Sequence, residues 1–233
     1  MNIPIRLGPA ELKLIEQLNA VGATAEAERL SGAGLPTRRV ESYHYTDLKL
    51  LLRDLPELAL APVQASAPAL RVAGAYQLMI ANGVVQDAGT APAGVIVGKA
   101  AGGALSQRDD VLVRVNSALA GESLTLNLEG SVDPVIHIDR RTEGGPAHAA
   151  GSARIFVADG ASVVILETYG GSDEAHVANH GTYLAVGKNA NVLHVTVNLA
   201  SRKATHFATN EYHLAEGAQL RTLIVHSGAA LSR

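Results

Sequence analysis

The chain has 233 residues, with 19 Lys and Arg set against 22 Asp and Glu, a net charge of −3. That balance lacks the basic footprint of a nucleic-acid binder, and with no cysteine the chain supplies neither disulfides nor thiolate ligands. Apolar residues make up 47% but aromatics only 3%, with no tryptophan, so Val, Leu, Ile and Ala must fill the core, a set suited to the narrow interior of a solenoid.

At the N-terminus, Glu11, Lys13 and Glu16 fall where a signal peptide needs an unbroken apolar run. No stretch approaches the ~20 apolar residues of a membrane span, so a soluble cytoplasmic protein with no membrane partner is expected. Pro9–Leu18 reads as a helix with Leu12, Ile15 and Leu18 on one face. A second helical segment, Ala25–Leu30, is expected to stop at Ser31-Gly32-Ala33-Gly34. The next segment, Gly34–Leu48, is dense in tyrosine and charge and unlike anything else in the chain. Thr46 or Asp47 is placed to cap a helix running through Leu48, Leu51, Leu52 and Leu55 to the breaker Pro56. Pro56–Pro68, rich in Pro and Ala, reads as a linker, which divides the chain into a helical region over 1–68 and a β region over 69–233.

Short strands begin near Ala75. Tyr76–Ile80 ends at the turn Asn82-Gly83 and returns as Val84-Val85, the one hairpin where antiparallel pairing is expected. Val95–Val97 is another strand, and Asp109–Leu119 carries Val111, Leu112, Val115 and Leu119 at helical spacing. Ser123–Leu128 alternates, turns at Glu129-Gly130-Ser131 and continues into Val135–Ile138, a strand–turn–strand unit that reads as the first coil. Thr142–Gly151, with three glycines and a proline, reads as a loop.

The same unit then occurs three times between Arg154 and Gly228. Each copy is an apolar strand, a tight turn ending in Ala161, Ala190 or Ala218, and a β-branched strand; the turn alanines lie 29 and 28 residues apart. A fixed spacing of this size is the mark of a solenoid, whereas a sandwich of look-alike hairpins has no reason to keep it. Aligned on the turn, Ile155 stacks with Leu184 and Tyr212, Val157 with Val186 and Leu214, and Leu166 with Val195 and Leu223. Strand side chains alternate in direction, so these rows are expected inside, with Phe156/Ala185/His213 and Ile165/His194/Thr222 on the other side. The expected fold is mainly β: a right-handed parallel β-helix, incomplete at its C-terminal end, after a small N-terminal helical region. An incomplete last coil exposes backbone donors and acceptors, which predicts a homodimer through the C-terminal coil.

Candidate chemistry is thin. His176 and His180 have ligand-like spacing but no third ligand beside them, while His194, His213 and His226 are expected to be solvated. Asp159, Glu167, Asp173 and Glu174 offer an acid pair for a β-helix groove of the kind carbohydrate-active enzymes use. The scarcity of aromatic rings for stacking on sugars counts against that alternative, enzyme or carbohydrate-binding module. Gly94–Ala100 lacks the spacer and the Ser/Thr of a phosphate loop, so any ATPase activity belongs to a partner. No residue is assigned a catalytic, cofactor-binding or metal-binding role.

Gly34, Leu35, Pro36, Thr37, Arg38, Arg39, Glu41, Tyr45, Thr46, Asp47 and Leu48 together resemble the N-terminal signature of the SufD family, the non-ATPase, SufB-related subunits of the SUF iron–sulfur assembly complex. Tyr43 stands where that family usually has tryptophan. Asn116-Ser117-Ala118-Leu119, Leu124–Leu128 and Pro134–His137 resemble the order in which the family enters its β-helix. The resemblance implies a non-enzymatic scaffold with SufB-like and SufC-like partners, and an iron–sulfur cluster on the assembled complex, with no cofactor on this chain. It also implies that the chain stops in mid-solenoid, before the family's C-terminal helical region and before the third strand that Ala175–Asn179 and Thr205–Thr209 supply in the preceding coils.

Overall fold

The structure, a computed structural model, describes residues 6–61, 63, 67–68, 70–105 and 109–233. Part of the expected linker Pro56–Pro68 lies outside the described residues, as do residues 1–5. Among the described residues there are four α-helices, α1 (Pro9–Ala20), α2 (Thr24–Ala33), α3 (Leu48–Leu51) and α4 (Val111–Leu119), and a 3-10 turn at Glu41–Tyr43. The strands are β1 (Tyr76–Ala81), β2 (Val84–Val85), β3 (Val95–Ala101), β4 (Glu122–Leu128), β5 (Ile136–Thr142) and β6 (His148–Val157). They continue as β7 (Ser162–Gly171), β8 (Val177–Val186), β9 (Asn191–Asn198), β10 (Thr205–Leu214), β11 (Gln219–His226) and β12 (Leu231–Ser232). They form two six-stranded sheets, ordered β11-β9-β7-β5-β1-β2 and β12-β10-β8-β6-β4-β3, which make a β-solenoid of about four turns. Among the described residues no helix is long and apolar enough to cross a membrane.

The repeated turn explains the repeat. Its third residue is Gly160, Asn189 or Gly217, with φ of 67, 54 and 70°. That left-handed conformation is open to glycine and tolerated by asparagine, which restricts the position to these two types. Each turn closes with the same bond: Ala161 N–H donates to Ala158 O, Ala190 N–H to Gly187 O, and Ala218 N–H to Ala215 O, at 3.2, 3.2 and 3.1 Å. Successive turns also join each other, Gly160 N–H to Lys188 O at 2.8 Å and Asn189 N–H to Glu216 O at 3.0 Å. The ladder has the expected register: Ile155 pairs with Leu184, Leu184 with Tyr212, Leu166 with Val195 and Val195 with Leu223.

One expectation about the faces is overturned. Ile155/Leu184/Tyr212 and Val157/Val186 do face the lumen, with Leu214 half exposed in the last coil, but Leu166/Val195/Leu223 do not. Val163, Ile165, Val192 and His194 line the interior, where the first three belong to or adjoin the apolar core. The parity is set by the turn. Ala161 and Ala190 are fully buried, so alternate residues counted from them, 163, 165, 167 and 192, 194, 196, point inward. Val195, Val164 and Leu193 therefore lie on the outer surface of this sheet, partly exposed.

Other differences concern boundaries. The unit β4–turn–β5 is the start of the regular winding, as expected, with β4 pairing in parallel with β6 and β5 with β7. Antiparallel pairing is not confined to the β1–β2 hairpin, because β3 runs antiparallel to β4 along seven residue pairs from Val95↔Leu128 to Ala101↔Glu122. Of the expected loop Thr142–Gly151, residues 148–151 are the beginning of β6 and Thr142 is the end of β5. The third strand expected at Ala175–Asn179 and Thr205–Thr209 is instead the N-terminal part of the long strands β8 and β10, because no turn residue interrupts the extended chain. β12 begins the same element once more, pairing Leu231 and Ser232 with Thr205 and His206.

The helices cover the outer face of the β10-β8-β6 sheet. Leu14, Leu18, Leu30, Leu48, Leu52, Val111 and Val115 pack with Ala150, Val177 and Phe207 in a second core, where each fully buried large side chain contributes about 1.5–3 kcal/mol. Asn116 fixes α4 on the sheet: its amide donates to Gly151 O at 3.1 Å and Asn179 O at 2.7 Å, and Asn179 donates back to Leu112 O at 2.8 Å. The buried face of α1 is Ala10, Glu11, Leu14, Gln17 and Leu18, with Leu12 outside at 56% exposure. Apolar spacing misses it because two members are polar. Glu11 accepts from Gly8 N–H and Leu35 N–H and pairs with Lys49 at 2.6 Å. The second helix runs past Ser31 to Ala33 and stops at Gly34, φ 66°. Asp47 caps α3, accepting from Leu50 N–H at 3.2 Å, but that helix ends at Leu51, and Leu52 and Leu55 reach the core from a turn.

Candidate functional site

Along the lumen-facing rows of β5, β7, β8, β9 and β10 the filling changes from apolar to polar. Near the turns the interior holds Leu126, Leu128, Ile155, Val163, Ile165, Leu184 and Val192. Toward the opposite end it holds Arg140 from β5, Glu167 and Tyr169 from β7, His180 and Thr182 from β8, His194 from β9 and His206 from β10. Arg140, Glu167 and His194 are at 0% exposure.

Glu167 is the hub. Arg140 Nε donates to its Oε2 at 2.7 Å, Tyr169 hydroxyl to Oε2 at 3.3 Å and Thr182 hydroxyl to Oε1 at 2.9 Å, while His194 Nε2 lies 3.0 Å from Oε1. Arg140 Nη2 also donates to Thr182 Oγ1 at 2.8 Å. With the His194 proton on Nε2, its Nδ1 accepts from Tyr212 hydroxyl at 3.1 Å. Burial alone would raise the Glu167 pKa, but the Arg140 charge and the His194 bond oppose it and hold the carboxyl well below the usual range. Burial beside this carboxylate pushes the Tyr212 phenol up to about 12 and Tyr169 well above its ordinary value. These phenols are therefore donors at neutral pH. A second group continues along the lumen, with the Tyr169 ring 5.2 Å from His180 and 4.6 Å from His206 between centroids.

Arg140, Glu167 and His194, at the heart of this arrangement, are at 0% exposure. A carboxylate held ionised by an arginine and ringed by donors is a poor general acid. The network instead pairs the Glu167 and Arg140 charges inside the solenoid, as buried ionic groups require, while Arg140 Nη1, His180 Nδ1 and His206 Nε2 are buried without a hydrogen-bond partner among the described residues.

His194, expected to be solvated, is a buried member of this network; His213 and His226 are exposed. The expected acid pair does not assemble. Glu167 is inside, Asp159 accepts from Lys188 N–H at 2.7 Å in a turn, and Asp173 pairs with Lys203 at 3.2 Å at a corner. His176 and His180 are both buried but make separate contacts. His176 accepts from Ala147 N–H at 3.2 Å and lies 2.8 Å from Ser172 Oγ, whereas His180 stacks toward Tyr169. Among the described residues no three His, Cys, Asp or Glu side chains group as metal ligands would. Lys99, from the glycine-flanked stretch, lies in β3 and pairs with Glu122 at 3.1 Å. Sequence reasoning missed Arg140 and Thr182; the available signal was the inward parity from Ala161, which leads to Glu167 and demands a buried counter-charge.

The buried histidines make stability depend on pH. Burial lowers His148, wedged 2.6 Å from Gln17 Oε1, to about 4. Burial, with the charges of His226 and Arg140 adding to it, lowers His206 to about 3. In the unfolded chain both take up a proton near pH 6.5, and in the fold they do not. Their contribution is therefore complete above pH 6.5 and is lost as pH falls, through about 4 for His148 and about 3 for His206. At about 1.4 kcal/mol per tenfold difference in proton affinity, the loss by pH 4 amounts to several kcal/mol. Urea midpoints measured from pH 7 to pH 4 are expected to fall steeply, less steeply for His148→Gln. A flat profile would contradict neutral burial of these rings.

Residues 140–233 match the family model described as SUF system FeS cluster assembly, SufBD core domain. The matched segment starts at Arg140 and takes in every strand from β6 to β12, and it supports membership of the SufB/SufD family and a role in SUF iron–sulfur cluster assembly. No curated protein matches the chain.

Proposed function

We propose that the chain is a SufD-like, non-enzymatic scaffold subunit of iron–sulfur cluster assembly, which acts in the cytoplasm by pairing with a SufB-like subunit and a SufC-like ATPase. The observation that carries this reading is the SufBD core match over residues 140–233, on a solenoid whose strands follow that segment from end to end. The tyrosine-rich segment Gly34–Leu48 supports the SufD side of the pair by its resemblance to that family's signature. In this reading the cluster is cargo of the assembled complex, and this chain contributes shape and contact surface.

The contact surface we favour is the last coil. β11 pairs on one side with β9 and, among the described residues, has no strand on the other. Leu223 and Ile224 are 53% and 56% exposed there. Exposed apolar side chains on this strand mark it as a contact surface, either for a SufB-like partner or for a second copy in a two-fold dimer. Size-exclusion chromatography with light scattering tests both. The chain alone at high micromolar concentration is expected to run as a dimer, and with SufB-like and SufC-like proteins it is expected to co-elute as a mixed complex. Ile224→Pro, which removes a backbone donor at that edge, is expected to weaken both. A monodisperse monomer that ignores both partners would overturn the proposal.

A further inference from the structure

The tyrosine-rich segment that stands out in the sequence has no part in the lumen network, and its contacts lie elsewhere. Tyr43 is buried, and its hydroxyl donates to both carboxylate oxygens of Asp110 at 2.9 Å. Asp110 is the N-cap of α4 and accepts from Leu112 N–H at 2.9 Å with the same carboxylate. On the other side of the ring sits Arg233, its Cζ 4.3 Å from the Tyr43 centroid. Arg233 Nη1 donates to Thr46 Oγ1 at 2.8 Å and Nη2 donates to Ser42 O at 2.6 Å. The guanidinium is thus held flat by an aromatic face and two oxygens, the mode in which arginine differs most from lysine.

The backbone of the same residue belongs to the solenoid. Arg233 N–H donates to His206 O at 2.9 Å, and Ala208 N–H donates to Arg233 O at 2.8 Å, extending the β10–β12 ladder. Its neighbour Leu231 packs on the helical core. Ser232 Oγ lies 3.0 Å from His226 Nδ1 and accepts from Asn198 Nδ2 at 3.1 Å, which ties the segment to the lumen rows. One residue therefore has its main chain in the sheet and its side chain in the helical layer, 187 positions from Thr46 in sequence.

We infer that the segment Ser42–Thr46 is a docking seat for Arg233, coupling the N-terminal helical layer to the strand that continues the solenoid. Pairing of β12 with β10 then adds to the hold on residues 41–52, and the seat in turn adds to the hold on β12. This coupling is independent of the assembly role proposed above, because both halves of the contact lie within one chain.

Hydrogen exchange on the full chain tests it, comparing wild type with Arg233→Ala, Arg233→Lys and Thr46→Val. If the seat couples the two regions, Arg233→Ala speeds exchange about tenfold both at 229–233 and at 41–52, on the scale of a lost cation–π contact with two charge-assisted bonds. Arg233→Lys, which keeps the charge but loses the fork, gives a smaller rise in both places. Thr46→Val, made in the seat, speeds exchange at 229–233. The amides of β7 and β9 stay as in wild type throughout. A change confined to 229–233 in the Arg233→Ala chain would overturn the coupling, and so would a uniform rise across β7 and β9, which signals general loss of stability.

Discussion

Glu167→Ala is expected to cost about 3–5 kcal/mol of folding stability, the range for breaking a buried ion pair by removing one partner. The cost arises less from the lost attraction than from what remains. Arg140 would keep its charge at 0% exposure with no counter-ion, and Thr182, Tyr169 and His194 would lose their shared acceptor. Replacing both charges together, Arg140→Met with Glu167→Leu, is expected to cost less than Glu167→Ala alone, because no isolated charge is left in the tube. Urea denaturation of the three chains decides it. If Glu167→Ala falls within about 1 kcal/mol of wild type, water reaches Arg140 and the ion pair is not a dry one.

The second large effect separates two neighbouring residues. His194→Asp would bring a carboxylate to a position whose ring nitrogen lies 3.0 Å from Glu167 Oε1, with only Arg140 to neutralise two acids. A loss of several kcal/mol is expected, from like-charge repulsion in a site without solvent. Val195→Asp, one residue on, points out of the solenoid from a partly exposed strand face and is expected to cost no more than about 1 kcal/mol. Melts of the two variants that came out equal, or in the reverse order, would show the inward parity of β9 to be wrong.

That pair also marks the boundary between what the chain spells out and what it leaves to folding. The ladder register was legible, because a turn needing Gly or Asn at one position and buried Ala at the next repeats at nearly constant spacing. Parity was not read from Leu166, Val195 and Leu223, since an outward row of aliphatic side chains looks in sequence like an inward one. A solenoid strand has two faces, and hydrophobicity distinguishes them only when one is polar. The α1 face was misjudged for the converse reason: Glu11 and Gln17 are buried because partners far along the chain, Leu35, Lys49, Pro56 and His148, satisfy them.

The solenoid, its coil length, its helical preface and the resemblance of Gly34–Leu48 to SufD-like proteins could all be read before folding, because each rests on local chemistry or on its repetition. Where charge is kept is settled by the packing of distant segments. Arg140 meets Glu167 across 27 residues and His194 meets Glu167 across another 27, while Arg233 finds Ser42 and Tyr43 from the far end of the chain. Such contacts are created by stacking one coil on the next and folding helices over the result. Nothing in a single strand records them, since the energy of a buried charge depends on the neighbour that neutralises it.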